Sequence, residues 1–281
     1  MIRQVVGFHF LKDGIDKLKS HKFSLIIDET IDRGTQSQMS VLGIYFDPDT
    51  FRMVTVFIDL VQMPDGKAST IYDNVIRCFQ EKNIPIRNIV GFCADTCNVM
   101  FGKHHSVSQM LVRDQPWILP VKCSCHMIHL CASHASLKLP KSVEDLCRNV
   151  YAHFSLSSQQ CEAFQEFQKF LNLEEHKILK AGQTRWLSIK TAVKRILEQY
   201  SALKLYFQGL VLEDPIHTND SILKSLSNKF TYAYLQFMDF NLERLTSFNT
   251  LFHSDLPLLH ELRKEVSTLI TAGICKAYRH Q

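Results

Sequence analysis

The spacing of apolar residues changes once along this chain, near Met127. Before that position, short apolar runs rich in β-branched and aromatic residues alternate with amphipathic stretches of helical period. After it, nearly every segment has the helical period alone. A sheet can therefore be built only from the first part of the chain. The sequence predicts a mixed α/β sheet followed by an all-helical region.

The predicted elements follow one another in the order β-β-β-α-β-α-β. After a leading helix comes a strand that begins at Phe23, then two β-rich runs separated by the turn sequence "DPDT". The stretch "ASTIYDNVIRCFQEKN" predicts the next helix, and "NIVGFCAD" predicts a strand that ends in Asp95. This order is typical of an RNase H-like mixed sheet. The predicted divisions are a leading helix at 1–22, a partial RNase H-like core at 23–136 and a helical insertion-like region at 137–281.

Two predicted strands end in aspartates, Asp28 in "FSLIIDETID" and Asp95 in "GFCAD". In an RNase H-like sheet the first and fourth strands are neighbours, so these two carboxylates are expected to lie close together. Carboxylates are ligands that Mg²⁺ and Mn²⁺ prefer, and such ions can activate water against a phosphodiester. The alternative is that both are ordinary strand-terminal acids. Glu29 and Asp32 are predicted to be solvated.

The loop "CADTCNVMFGK" lies between the fourth predicted strand and the next helix, and it contains Asp95. A loop of this kind can position a metal ligand and offer backbone N–H groups to a phosphate. It is neither a P-loop nor a dinucleotide-binding glycine motif, so the pattern alone has low specificity.

A dense group of cysteines and histidines follows in "KCSCHMIHLCASHA". Thiolates and imidazoles at this density raise the question of zinc. No second group follows at finger-like spacing, and these residues fall on different helix faces. The sequence therefore predicts no zinc site; the cysteines are expected in the core and the histidines in hydrogen bonds.

Arg185 and Trp186 precede a helix that carries Lys190 and Lys194. A Trp beside an Arg can stack on an unpaired base while lysines meet phosphates. The alternative is a Trp that anchors the start of a helix in the core, beside a solvated basic face. The residues alone favour neither interpretation.

Four segments together resemble the hAT superfamily of DNA transposases and their domesticated relatives. They are "LIIDETID", "GFCADTCNVMFGK", "CSCHMIHL" and "TRWLSIKTAVKRILEQYSAL", which occur in the family's order between about residues 20 and 210. Each segment is weakly specific, whereas the ordered set is specific. The family has an RNase H-like core that a large helical insertion interrupts after the fifth strand.

The resemblance implies roles for individual residues. Asp28 and Asp95 match the first two acids of the family's DDE triad, and Cys123 and His126 match its Cys-x-x-His motif near the active site. Trp186 matches an insertion-domain Trp that is associated with the bases flanking the cleavage point.

The third acid of the family, a Glu, is expected on a helix beyond the insertion. Glu261 and Glu265 are candidates, but their segment "LLHELRKEVSTLI" has the pattern of an insertion helix. The family's N-terminal BED-type zinc finger has no counterpart either. The resemblance therefore implies a section of a transposase-derived protein, incomplete at the C-terminus, that has lost catalytic activity.

Composition narrows the classes of function. The chain of 281 residues is 46% hydrophobic and carries a net charge of +4, too small to indicate nucleic-acid binding without a clustered patch. No apolar run approaches the ~18 residues of a membrane span. The nine cysteines are scattered, which favours reduced thiols in the nucleus or cytosol.

The leading hypothesis is an inactive, transposase-derived nuclear protein, or a cytoplasmic one if the chain is a fragment, that retains DNA or protein binding. One rival is an active DDE transposase or nuclease that uses Mg²⁺ or Mn²⁺ at Asp28 and Asp95. A second rival is a regulatory domain that binds proteins and no nucleic acid. DNA, a protein partner and a second copy are the expected partners; a membrane and a small-molecule substrate are not.

Overall fold

The structure is a computed structural model that describes residues 12–31, 37–179, 189–213, 217–254 and 256–278. It divides into two compact units. One comprises the described residues up to Met127 together with Phe252–His260, and the other comprises Ile128–Leu251 together with the residues from Glu261. None of the described helices is long and apolar enough to cross a membrane.

The first unit contains a five-stranded mixed sheet. Its strands are β1 (Phe23–Ile31), β2 (Ser37–Asp47), β3 (Arg52–Gln62), β4 (Ile89–Ala94) and β5 (Leu119–Lys122). Their spatial order is β3-β2-β1-β4-β5. The first three strands are antiparallel neighbours, whereas β4 is parallel to β1 and β5 is parallel to β4. The predicted RNase H-like order, with the first and fourth strands adjacent, is confirmed.

Short helices connect and cover these strands. Residues 12–20 form α1, and the later helices are α2 (Ala68–Glu81), α3 (Asn98–Phe101) and α4 (Val107–Asp114). Ser106 caps α4 by accepting a hydrogen bond from the backbone N–H of Gln109. The loop "CADTCNVMFGK" therefore leads from β4 through the single turn of α3 toward α4.

One face of the sheet is the core of the first unit. Phe23, Leu25 and Ile27 alternate along β1 and are buried on this face. The Phe23 ring meets Phe79 of α2 edge to face, with ring centroids 6.1 Å apart. Leu18 of α1 packs so closely on Gly43 of β2 that a Cβ there would lie 2.9 Å from its side chain. A larger residue at position 43 would therefore require the Leu18 side chain to move.

The second unit is helical, in agreement with the predicted helical region. Its helices are α5 (Ser124–Ser136, which begins in the first unit), α6 (Lys141–Ser155), α7 (Ser158–Phe170), α8 (Lys190–Glu198), α9 (Tyr200–Glu213), α10 (His217–Ser227), α11 (Thr231–Phe252) and α12 (Leu262–Tyr278). An aromatic cluster joins α6, α7 and α9, in which Phe154, Phe164 and Tyr206 contact one another.

The helical run that starts near Trp186 is interrupted within the described residues, because α8 ends and α9 begins on either side of Gln199. The Gln199 side chain is buried and accepts a hydrogen bond from the Gln168 side chain at 2.9 Å. It also donates to the backbone carbonyl of Glu174 at 3.0 Å. These polar contacts fix the position of the break.

Candidate active site

The pairing of β1 with β4 positions the two aspartates. Ile26 is the partner of Cys93 in this parallel pair. Two residues further along the chain come Asp28 and Asp95, so they occupy matching positions in this register. Asp28 lies inside β1, which continues to Ile31 and does not end at Asp28 as predicted, because β1 stays paired with β2 beyond it, whereas Asp95 follows directly after β4. Because side chains alternate along a strand, Asp28 is placed on the same sheet face as Ile26, the partner of Cys93. This register is the geometric basis of the candidate site.

The two carboxylates differ in their surroundings. Asp28 is exposed, whereas Asp95 is half-buried. Asp95 Oδ1 accepts a hydrogen bond from the backbone N–H of Cys97 at 3.2 Å. Burial and a hydrogen bond to Asp95 raise the pKa of the Cys97 thiol to about 11, so this thiol stays protonated. The loop after β4 therefore holds Asp95 in place.

Glu29 is a third carboxyl group near this pair. The residue is exposed, as a solvated residue is expected to be, but its carboxyl group is partly desolvated. That desolvation, followed by the negative charges of Asp95 and Asp28, raises the pKa of Glu29. Sequence reasoning assigned Glu29 only a solvated position, since Asp28 is the residue that matches the first acid of the family. Asp32 lies outside the described residues.

The backbone of Cys123 is hydrogen-bonded to the residue that precedes Asp95. Its N–H donates to the carbonyl of Ala94 at 3.0 Å, which continues the pairing of β4 with β5 by one residue. Burial, followed by the nearby thiols of Cys123 and Cys125, raises the pKa of Cys93 to about 12. Three thiols therefore gather near the end of β4.

His126 belongs to the first turn of α5 and is half-buried. That it faces the acid pair stays a prediction. No three His, Cys, Asp or Glu side chains of the described segments are arranged to hold a metal ion. The predicted absence of zinc also stays a prediction. Of the two α5 cysteines that were expected in the core, Cys125 is buried, whereas Cys131 is exposed, so that expectation is wrong for Cys131. The residues that could contribute oxygen ligands to Mg²⁺ or Mn²⁺ are Asp28 and Asp95.

The predicted DNA-binding residues fall into two groups. Arg185 and Trp186 lie outside the described residues. Lys190, the first residue of α8, forms an ion pair with Glu243 of α11, and its side chain is 18% exposed. Lys194 is exposed on the same helix.

Glu243 interacts with both lysines. The hydrogen bond from Lys190, and less strongly the charge of Lys194, lowers the pKa of its carboxyl group. Part of the basic charge on α8 is thus neutralised within the protein. The sequence carried no signal for this partner, because α9 and α10 lie between the two residues along the chain.

Comparison with known proteins supports the RNase H-like fold of the first unit. No curated protein matches the chain. Residues 2–106 match a family model, DUF4371, described as "ZMYM1/FAM200, RNase-like domain", and this family is transposase-derived. The matched range includes β1 to β4 and therefore Asp28 and Asp95. Over this range the chain is similar to a transposase-derived, RNase-like domain, which agrees with its RNase H-like fold.

Proposed function

We propose that this protein is a domesticated derivative of an hAT-type transposase that binds DNA in the nucleus and does not cleave it. The observation that carries the proposal is the register of β1 and β4, which gives Asp28 in β1 and Asp95 after β4 matching positions. This arrangement lies within the range that is similar to a transposase-derived family. The motif order described above supports the hAT assignment.

The chemistry of DNA cleavage argues for an inactive core. Displacement at phosphorus with two metal ions needs several carboxylates that converge on the ions. Asp28 and Asp95 supply two, and the family pattern asks for a Glu from a later helix. Glu261, one candidate, forms an ion pair with Lys264 at 3.1 Å, three residues away on the chain. We therefore assign the acid pair to a remnant of the ancestral site.

The second candidate function is a metal-dependent DNA nuclease or transposase of the DDE type. The position of Glu29 favours it, because the charge of Asp95 reaches this carboxyl group. A divalent cation at the acid pair would oppose the mutual repulsion of the three carboxylates. Because side chains alternate along β1, Glu29 lies on the face opposite to Asp28, so it would act on such a cation through its charge and not as the third ligand.

One assay separates the two functions. The full chain is incubated with supercoiled plasmid and Mg²⁺ or Mn²⁺, and binding is measured on the same DNA over a range of salt concentrations. We expect binding that weakens as salt rises, and no nicking. Nicking that is lost in each of Asp28→Ala, Asp95→Ala and Glu29→Gln would replace the proposal with the nuclease. Absence of DNA binding at low salt would contradict both.

A further inference from the structure

The face of the sheet opposite the core carries large apolar side chains that remain accessible. Strand alternation and the pairing of β1, β2 and β3 place Ile26, Leu42, Ile44, Phe57 and Leu60 on it. We call this set the open sheet face. Phe57 is 46% exposed and Leu60 is 48% exposed, while the other three are half-buried.

A solvent-facing surface of this composition is unusual for this kind of sheet. The set lies on β1, β2 and β3, which pair antiparallel and can leave one face to solvent, but β1 also pairs in parallel with β4, and parallel strands are ordinarily covered on both faces. Leu119 of β5 continues the apolar surface and is 58% exposed. Contiguous apolar patches of this kind mark interaction sites in soluble proteins. The open sheet face is therefore suited to a partner that supplies an apolar layer.

The charges on this face indicate which charge a partner should carry. Among the described strand residues that alternation places on the open sheet face, Asp28 is the charged one, and Asp95 follows directly after β4. The sheet's ion pair between Asp59 and Lys82 belongs to the core side, because Asp59 pairs with the buried Val41. The open sheet face is thus largely apolar, with uncharged serine and threonine side chains among the apolar ones, and negative at one end.

These features exclude two other occupants on physical grounds. DNA phosphates would be repelled by the aspartates and would gain little from apolar side chains. A second copy packed face to face would bring two further carboxylates and no cation to the same surface. A helix with one apolar stripe meets the geometric need, because a helix laid on a sheet is the usual way to cover it.

We propose that the open sheet face binds an amphipathic helix of a partner protein, with lysine or arginine at the end of the helix that meets Asp28 and Asp95. The apolar stripe supplies the contact with Phe57, Leu60 and their neighbours. The cation pairs first with the exposed Asp28 and then with the half-buried Asp95. This proposal is independent of DNA binding by the second unit.

The test uses two synthetic peptides of about 18 residues, roughly five helical turns, with leucines at helical spacing. One has lysine at the polar positions and the other has glutamate. Binding of each labelled peptide to the full chain is followed by fluorescence anisotropy. We expect the leucine/lysine peptide to bind at least about tenfold more tightly, because only it complements Asp28 and Asp95.

Variants identify the surface. Leu60→Gln and Phe57→Thr each remove apolar contact and are expected to weaken binding about tenfold or more. The matched control is Leu212→Gln on α9, where the leucine is 88% exposed, and it should leave binding unchanged. Circular dichroism confirms that each variant is folded. The double variant Asp28→Asn, Asp95→Asn should abolish the preference for lysine over glutamate.

Three outcomes would overturn the proposal. Equal binding of the two peptides, or binding that Leu60→Gln and Phe57→Thr leave unchanged, would show that this face is not the site. A dimer in sedimentation that these variants dissociate would assign the face to a second copy. Loss of plasmid binding in the same variants would assign it to DNA.

Discussion

The two candidate sites of this protein are built by different means. The acid pair is positioned by the backbone, since the register of β1 with β4 gives Asp28 and Asp95 matching positions. The basic site on α8 depends on long side chains, and their charge is shared with Glu243 from a helix distant in sequence. A site fixed by strand pairing tolerates changes of neighbouring side chains, whereas a site built from flexible side chains depends on which partners they meet.

The largest effect is expected from a change in β1, the strand that positions the acid pair. Ile27 precedes Asp28 and is buried in the core. We expect Ile27→Ala to lower the free energy of unfolding by about 2–5 kcal/mol, because it removes apolar contact and leaves a cavity. The measurement is urea-induced unfolding followed by circular dichroism.

The matched control is Ile26→Ala, which lies on the opposite face and is only half-buried. Its cost should be smaller by about half or more, since less apolar area is lost. Equal costs for the two variants would mean that a covering layer already buries the open sheet face. That result would also contradict the further inference.

A second test concerns the break between α8 and α9, which sets the direction of the basic helix. Gln199→Ala removes the acceptor of the Gln168 amide and the donor to the Glu174 carbonyl. We expect a loss of about 1–3 kcal/mol in unfolding free energy, because buried polar groups lose their partners. The exposed Gln208 on α9 supplies the control variant Gln208→Ala. A loss that is no larger than the control's would show that the break does not depend on this pair.

The sheet could be derived from the sequence because its evidence is local. Alternation along β1 and the turn before β3 determine the strands, and the order of the elements makes β1 and β4 neighbours. The positions of Asp28 and Asp95 follow from that order. Their proposed roles as metal ligands depend on the family resemblance and remain predictions.

The parts that the sequence could not supply depend on contacts between distant residues. The helical period continues through Gln199, so only the packing of Gln168 against it reveals two helices. The ion pair of Lys190 with Glu243 joins residues whose spacing carries no pattern. Likewise, alternation shows that Phe57 and Leu60 share a face, but not that this face is accessible.

A third test concerns the basic site on α8 and its partner Glu243. Glu243→Gln removes the negative charge that neutralises Lys190 and lies near Lys194. If these lysines contact phosphate, DNA affinity should rise about threefold to tenfold. The slope of log affinity against log salt should steepen by the amount expected for about one more phosphate contact. Filter binding or anisotropy over a salt series measures both quantities.

Lys194→Ala should lower the DNA affinity, and the salt dependence of binding should become shallower by a similar amount. Lys224→Ala is the control, because Lys224 is an exposed lysine on α10 that is paired with Asp220. If all three variants bind DNA like the unaltered chain, α8 is not part of a DNA interface.

The smallest expected effect is a pH dependence at Glu29. Its pKa in the folded protein is raised above the ordinary value of 4.5, mainly by burial and then by Asp95 and Asp28. The folded state therefore holds the proton more tightly than the unfolded state, and stability falls as pH rises from 4.5 through the raised pKa. Glu29→Gln should be more stable than the unaltered chain at pH 7, and this gain should vanish below pH 4.5. Thermal unfolding at both pH values measures it, with the exposed Glu166→Gln as the control. If Glu29→Gln is less stable at pH 7, its carboxylate makes a favourable contact and the three acids do not repel one another.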